Sequence, residues 1–124
     1  MPHPFIDLIA LRLEESARGK SRCSLQVEEK HFNSAGAVHG AVLFALADTG
    51  MGKALYSALD DRSLVATVEA KISFFKPVTG GLIVCESELV NPGTTIASLE
   101  STLSVDGVVV ARAYGTFNVK RKVG

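Results

Sequence analysis

Apolar and polar residues alternate along much of the chain, a pattern typical of β-strands with one buried face. The longest alternating stretch covers residues 64–75, with Leu64 starting one series of alternate positions and Val65 the other. Asp106-Gly107 separates the last two stretches and indicates a two-residue hairpin turn. Short turns also join the neighbouring stretches, so these strands are expected to pair antiparallel. The predicted strands are 21–30, 64–75, 82–90, 95–105 and 108–119.

Two other stretches have helical character. Apolar residues recur at helical spacing near the N-terminus, which predicts a short amphipathic helix over about residues 4–18. Residues 33–56 are apolar and rich in small side chains, long enough for a helix of about five turns. A helix that is apolar nearly all round must be buried by the sheet. The sequence therefore predicts a single α+β domain over residues 1–124, with a curved antiparallel five-stranded sheet wrapped around one long central helix.

Only two residues between Ala35 and Gly52 can titrate, His39 and Asp48. A carboxylate among apolar side chains is costly to desolvate, so Asp48 needs a local partner, a path to solvent or a chemical role. The two residues are nine positions apart, about half a turn out of phase and roughly 13 Å apart along a helix axis. They cannot form a dyad on one helix face. Either they act separately, or each meets its counterpart from another copy of the chain, which would create a site shared across a dimer interface.

The predicted helix contains Gly40, Gly50 and Gly52, and a glycine inside a helix costs up to about 1 kcal/mol relative to alanine. Gly50 and Gly52 are expected to allow close approach of the sheet or of a neighbouring helix. Gly40 differs because it follows His39 near the helix start. A first-turn N–H has no intrahelical acceptor and carries positive partial charge, so it could donate to a substrate oxygen.

Composition excludes several classes of function. Basic and acidic side chains balance at 13 each, which argues against a nucleic-acid-binding surface. Cys23 and Cys85 are far apart and form no metal-ligand motif, and free thiols in a reducing cytoplasm are expected. The N-terminus lacks the pattern of a secretory signal, and no apolar run is long enough to span a membrane. The basic cluster of Lys120, Arg121 and Lys122 is interpreted as a solvated tail.

The order and spacing of several residues resemble one known family. The core pattern is N-x-x-G-x-V-H-G-x-x-x-x-x-L-A-D, which runs from Asn33 to Asp48. Supporting residues are Thr67 in the next strand, Phe74, Lys76 and Pro77 in an F-x-K-P segment, and Gly115-Thr116-Phe117 in the last strand. Over roughly residues 20–119 the chain is similar to hotdog-fold acyl-CoA thioesterases of the phenylacetic-acid-degradation (PaaI-like) type. One departure is Ala41, where the family usually has a second glycine after H-G.

The resemblance implies a role for each matching position. Asp48 would attack the thioester carbonyl or activate a water as general base. The Gly40 N–H would stabilise the oxyanion. His39 would form a hydrogen bond near the thioester and hold the loop in place. Asn33 would orient the water or carbonyl, and Thr67 would position the carboxylate or water. In the family, the Asp comes from one subunit and the H-G turn from its partner, in a homodimer or a dimer of dimers.

The same resemblance bears on substrate and cofactor. An oriented carboxylate and oxyanion donors suffice for thioester hydrolysis, so no metal or cofactor is expected, and coenzyme A enters only as part of the substrate. Lys76, Arg62 and Lys71 are candidates for binding its phosphates, and Ala41 could narrow the acyl channel. The expected acyl groups are aryl-acetyl, aroyl or medium-chain fatty acyl. Candidate pocket residues are Phe44, Met51, Tyr56 and Phe75.

Two other functions stay open. A non-catalytic protein that binds acyl-CoA or another apolar ligand is compatible with Ala41. A hydratase or dehydratase on acyl thioesters fits less well, because relatives of that kind often carry an H-F-P-x-x-P-like segment, whereas His31-Phe32 is followed by Asn33. In isolation, Asn33 also suits a turn before the helix.

Overall fold

An antiparallel sheet of six strands wraps one long helix in the computed structural model, which describes residues 3–60 and 62–121. The elements are α1 (Pro4–Leu8), β1 (Arg12–Ala17), β2 (Lys20–Gln26), α2 (Gly40–Tyr56), β3 (Ser63–Phe74), β4 (Leu82–Pro92), β5 (Ile96–Val105) and β6 (Val108–Arg121). The strand order is β1-β2-β4-β5-β6-β3, so β1 and β3 are the two edges. Lys120 and Arg121 of the predicted basic tail are instead the last residues of β6, paired with β3, and Lys122 lies outside the described residues. The predicted α+β architecture is confirmed, but the predicted count of five strands is wrong.

The additional strand replaces most of the predicted N-terminal helix. Helix α1 ends at Leu8, and the chain then turns through Ala10, whose φ is +59°. Residues Arg12–Ala17 follow as β1, paired antiparallel with β2. All six β1 residues are exposed. An edge strand without a buried face shows no alternation of apolar and polar positions, so the sequence pattern did not reveal it.

The central helix is shorter than residues 33–56 and begins at Gly40. Residues 33–39 form a loop instead, with Gly36 at a φ of +84° that favours glycine. His39, at φ −61° and ψ 135°, is the N-cap of α2. The loop therefore presents the first turn of the helix, including Gly40, at the surface.

Strand β3 contains a β-bulge that the sequence pattern did not indicate. Thr67 pairs with Phe117 and Glu69 with Thr116, which leaves Val68 as the extra residue, 59% exposed. The bulge shifts the alternation by one position. Val65 and Thr67 face the helix before it and Ala70 faces the helix after it, so the single uninterrupted alternation predicted over 64–75 is wrong.

Close contact between α2 and the sheet is centred on Gly50. A Cβ added there would lie 2.6 Å from Ser87 Oγ, so any larger residue would force the serine or the helix to shift. The Ser21 hydroxyl donates to the Gly50 carbonyl at 2.5 Å. The predicted close approach is thus confirmed at Gly50. It is not found at Gly52, where the nearest atom to an added Cβ is Phe117 Cε2 at 3.9 Å.

Both cysteines are free thiols in the core and face each other across β2 and β4. Burial raises the pKa of Cys23 to about 12 and that of Cys85 to about 11. Such thiols stay protonated and unreactive near neutral pH. No helix in the described part of the chain is long and apolar enough to cross a membrane.

Candidate active site

The first turn of α2 presents one backbone donor without an acceptor. His39 accepts two hydrogen bonds there, from the Ala41 N–H to its Nδ1 at 2.9 Å and from the Val42 N–H to its carbonyl at 2.9 Å. The N–H of Gly40, the first helical residue, takes part in no hydrogen bond among residues 3–60 and 62–121. The cap thus uses the neighbouring N–H groups and leaves the Gly40 N–H for a ligand.

Asn33 shapes the loop before this turn. Its Oδ1 accepts from the Ala35 N–H at 2.9 Å and the Ala37 N–H at 3.1 Å, and its own N–H donates to the Ala37 carbonyl at 2.7 Å. The structural interpretation of Asn33 as a turn residue is therefore correct. Asn33 also borders the groove described below, so a role in orienting water or the carbonyl stays a prediction.

His31 anchors the base of the loop, a role that the sequence analysis missed. Its ring is 1% exposed. The Glu28 N–H donates to Nδ1 at 2.9 Å, so the ring proton lies on Nε2, which is 2.7 Å from the Ile9 carbonyl. The His31 carbonyl accepts from the His39 N–H at 2.8 Å. The only sequence signal was the end of the alternating pattern of β2.

A shallow groove of about 350 Å³ runs beside Gly40. The Phe74 ring forms one wall, and a Cβ added to Gly40 would lie 3.1 Å from its Cζ atom. Lys76 lies at the same groove. The lining is otherwise mostly apolar and comprises Asn33, Ala37, Val38, Gly40, Leu43, Phe74, Phe75, Lys76, Pro77 and Val78. The groove therefore offers a backbone donor and a cation within a mostly apolar lining.

Asp48 lies on the face of α2 that the sheet leaves partly open. The Thr67 hydroxyl donates to Asp48 Oδ1 at 2.8 Å. Asp48 is half-buried and Thr67 is exposed, so the carboxylate is not fully enclosed by its apolar neighbours on the helix. Both a polar partner and solvent are available. Thr67 binds Oδ1, and Oδ2 forms no hydrogen bond with the residues that the structure describes.

One chain does not bring Asp48 and Gly40 together. They are eight residues apart on α2, about 12 Å along its axis. Asp48 is not among the residues lining the groove. Asn33, His39 and Gly40 thus form one cluster, and Asp48 with Thr67 forms another.

The three candidate cations occupy different places. Lys76 lines the groove, whereas Lys71 lies on the outer face of the sheet beside a separate cavity that Glu69 and Tyr114 also line. Arg62 precedes the opposite end of β3 from Lys76. Within one chain, Lys76 alone of these three is placed to meet a ligand in the groove.

The aromatic and sulfur-containing residues that were candidates for a substrate pocket differ in their exposure to solvent. Met51 is fully buried in the core, so the expectation that it lines a substrate pocket is wrong. Phe44, Tyr56 and Phe75 are exposed. Ala41 is exposed too, and its N–H is already bonded to His39, so the methyl group stands at the rim of the site.

Metal chemistry has no obvious site in the described part of the chain. Within residues 3–60 and 62–121, no group of three or more His, Cys, Asp or Glu side chains is arranged to hold an ion. The polar groups near the groove and on α2 include the Asp48 carboxylate, the Asn33 amide, the Lys76 ammonium and the Gly40 N–H.

Comparison with known proteins gives a consistent result. The chain is 28% identical to human acyl-coenzyme A thioesterase 13, over 86% of this chain and 77% of the relative. It is 29% identical to protein VNG_1336C of Halobacterium salinarum, over 96% and 86% of the two chains. The solved structure of protein PA5202 from Pseudomonas aeruginosa superposes with a TM-score of 0.93 at 26% identity, covering 97% and 96%. The family model described as Thioesterase superfamily matches residues 35–111, more than half of the sequence. The chain belongs to the thioesterase superfamily.

Proposed function

We propose that this protein is an acyl-CoA thioesterase of the PaaI-like type, which hydrolyses an acyl-CoA to the free acid and coenzyme A. The observation that carries the proposal is the Asp48–Thr67 pair, a carboxylate with one oxygen held and the other free. Membership of the thioesterase superfamily and the uncommitted Gly40 N–H support it.

The residues suit thioester hydrolysis without a cofactor. The Gly40 N–H donates to the carbonyl oxygen, which becomes negative as the tetrahedral intermediate forms. Asp48 Oδ2 takes a proton from the attacking water, and the intermediate collapses with cleavage of the C–S bond. The proton then passes from Asp48 to the departing thiolate. Direct attack by Oδ2, giving an anhydride that water hydrolyses, uses the same geometry.

Each active site needs two subunits in this proposal. The groove with Gly40 comes from one chain, and Asp48 with Thr67 comes from its partner. The exposed edge of β3 supports this arrangement, because a second β3 can add to it and extend the sheet. We place the protein in the cytoplasm, as a dimer or a dimer of dimers.

The groove suggests how substrate is oriented. Lys76 meets the coenzyme A phosphates, and the exposed rings of Phe74 and Phe75 pack on the pantetheine arm or the acyl group. Aryl-acetyl, aroyl and medium-chain acyl groups all suit such an aromatic wall. Antiparallel pairing of two β3 strands brings Arg62 of the partner subunit towards the same groove.

Thiol release from a panel of acyl-CoAs tests the proposal. The panel contains phenylacetyl, hydroxyphenylacetyl, benzoyl, hexanoyl and palmitoyl thioesters, with Asp48→Asn as the matched variant. We expect the wild type to turn over at least one class and Asp48→Asn, still folded, to lose at least about 100-fold in kcat. If the wild type releases no thiol yet binds one thioester tightly, the protein is a ligand-binding member of the family and the proposal is wrong.

A further inference from the structure

Three serines form a transverse row on the face of the sheet that α2 covers. Ser21 on β2 is paired with Ser87 on β4, and Ser87 is paired with Ser101 on β5. All three are buried, with exposed fractions of 6%, 3% and 1%. Their neighbours on this face are mostly apolar, as at Leu25 and Leu99. The serine row (Ser21, Ser87 and Ser101) is therefore a polar line within an otherwise apolar contact.

The serine row forms hydrogen bonds with the backbone of α2. The Ser21 hydroxyl donates to the Gly50 carbonyl at 2.5 Å, and the Ser101 hydroxyl donates to the Ala47 carbonyl at 3.3 Å. Ser87 Oγ lies 2.7 Å from Ser101 Oγ. Because the Ser101 proton is directed to Ala47, Ser87 is the donor in that contact. Two carbonyls almost one helical turn apart are thereby joined to the sheet.

These hydrogen bonds are not needed to satisfy the helix. Each carbonyl inside an α-helix accepts from the N–H group four residues later, so Ala47 and Gly50 already have partners. A second bond to such a carbonyl adds little net stability, because the hydroxyl gives up a bond to water in order to form it. Three alanines would fill nearly the same volume with no polar group to desolvate. Stability of the core therefore does not account for the serine row.

The serine row supplies direction to a contact that otherwise has none. Burial of apolar surface is non-directional, whereas a hydrogen bond weakens steeply when its length or angle changes. Ala47 and Gly50 lie about 4.5 Å apart along the helix axis and about 60° apart around it. Hydrogen bonds at two such points fix both the position of α2 along its axis and its rotation on the sheet.

We propose that the serine row positions Asp48 for the reaction, an inference that rests on the proposed function of this carboxylate. Asp48 lies between the two bonded carbonyls in the chain, and the Thr67 hydroxyl donates to its Oδ1 at 2.8 Å. Thr67 is on the edge strand β3, which β6 separates from β5, so the serine row and Thr67 hold α2 from opposite sides. A displacement of α2 by about 1 Å would break the bond between Asp48 and Thr67. The three serines are thus positioning residues that act through the helix backbone.

Replacement of the whole row tests the inference. The triple variant Ser21→Ala/Ser87→Ala/Ser101→Ala removes every hydroxyl of the row, so none of the three is left buried without its partner. Ser98→Ala/Ser104→Ala is the matched control, because these two serines alternate with the buried positions of β5 and lie on the outer face of the sheet. Circular dichroism establishes that each variant is folded.

The position of Asp48 is measured without catalysis, from the carboxylate ¹³C resonance of its side chain in aspartate-labelled protein at neutral pH. Asp48→Asn assigns the resonance, and Thr67→Val shows where it lies when the hydrogen bond is lost. We expect the triple variant to move at least about half of the way towards Thr67→Val, and the control variant to stay at the wild-type position. A folded triple variant with the wild-type resonance would overturn the inference.

Steady-state thiol release provides a second readout. We expect kcat of the triple variant to fall about tenfold while KM stays within about twofold, since the serine row does not touch the substrate. In a Thr67→Val background the same three substitutions should cost less than about twofold, because the contact that they maintain is already absent. Losses that multiply would mean that the serine row acts through another part of the molecule, which overturns the inference.

The outcomes separate the inference from the proposed function. A wild type that hydrolyses no thioester, but whose Asp48 resonance responds to the serine row as expected, retains the positioning role and loses the proposed activity. Hydrolysis with an unresponsive resonance does the reverse. If the triple variant does not fold, Ser21→Ala and Ser101→Ala are measured singly. Each should move the Asp48 resonance in the same direction by a smaller amount, and no movement in either overturns the inference.

Discussion

Gly40 offers a rare opportunity to remove a backbone hydrogen-bond donor by substitution. Proline lacks the N–H group and is well tolerated at the first position of a helix, which Gly40 occupies. Proline also restricts the preceding residue to extended conformations. His39 already has φ −61° and ψ 135°, so Gly40→Pro should leave the fold and the His39 cap in place.

The expected effect on catalysis is large and the effect on stability is small. Loss of one oxyanion donor typically costs about 2.7–4 kcal/mol, a fall in kcat of roughly 10²–10³. Gly40→Ala is the matched control, because it retains the N–H and adds the same Cβ 3.1 Å from Phe74 Cζ. Phe74 is 52% exposed and its ring can move by a few tenths of an ångström. We therefore expect Gly40→Ala to lose less than about tenfold in kcat.

The assay is steady-state thiol release with the best acyl-CoA, alongside thermal unfolding by circular dichroism. The reasoning predicts that Gly40→Pro keeps the wild-type midpoint within a few degrees while its kcat falls at least ten times further than that of Gly40→Ala. Equal rates for the two variants, with both folded, would refute the assignment of the Gly40 N–H as oxyanion donor.

Three further predictions concern other contacts. Gly50→Ala should destabilise the protein by about 1–3 kcal/mol in urea unfolding, because its Cβ meets Ser87 Oγ, and Ser87→Ala in the same chain should recover about 1 kcal/mol or more of that loss; purely additive effects would contradict the contact. The thiols of Cys23 and Cys85, with pKa values raised to about 12 and about 11, should not react with a disulfide reagent at pH 8 until the chain unfolds, and rapid labelling of the native protein would contradict their burial. Thr67→Val should lower kcat about tenfold by removing the donor to the active-site carboxylate, and Thr67→Ser should restore it; a similar loss in both variants would indicate a packing role only.

The sequence predicted the parts of the fold in which local pattern and tertiary burial agree. The alternation through β4, β5 and β6 matches strands with one face on the helix. The turn residues Asp106 and Gly107 have φ values of +51° and +78°, as a type I′ hairpin requires. The prediction from sequence failed where contacts between distant parts of the chain determine the local structure. These places are the exposed edge strand β1 and the bulge residue Val68. Neither feature leaves a periodic signal in one sequence.

For the candidate site too, the sequence predicted features that have a sequence signal and missed those that depend on tertiary contacts. The family resemblance implied that Thr67 positions either Asp48 or a water, and the structure places its hydroxyl 2.8 Å from Asp48 Oδ1. The phase difference between His39 and Asp48 indicated that these two residues cannot form a dyad on one helix face. The contact of Tyr56 with Val65 could not be foreseen, since it depends on where α2 ends relative to the edge of β3.

The central claim is that Asp48 of one subunit acts with Gly40 of its partner, and a mixed dimer tests it most directly. Asp48→Asn and Gly40→Pro chains are co-expressed with different affinity tags, and the heterodimer is isolated by two successive purifications. If the site is shared, one of the two sites carries both defects and the other carries none. The account predicts about half of the wild-type thiol-release rate, far above either variant alone. A heterodimer no more active than the parent variants would contradict it.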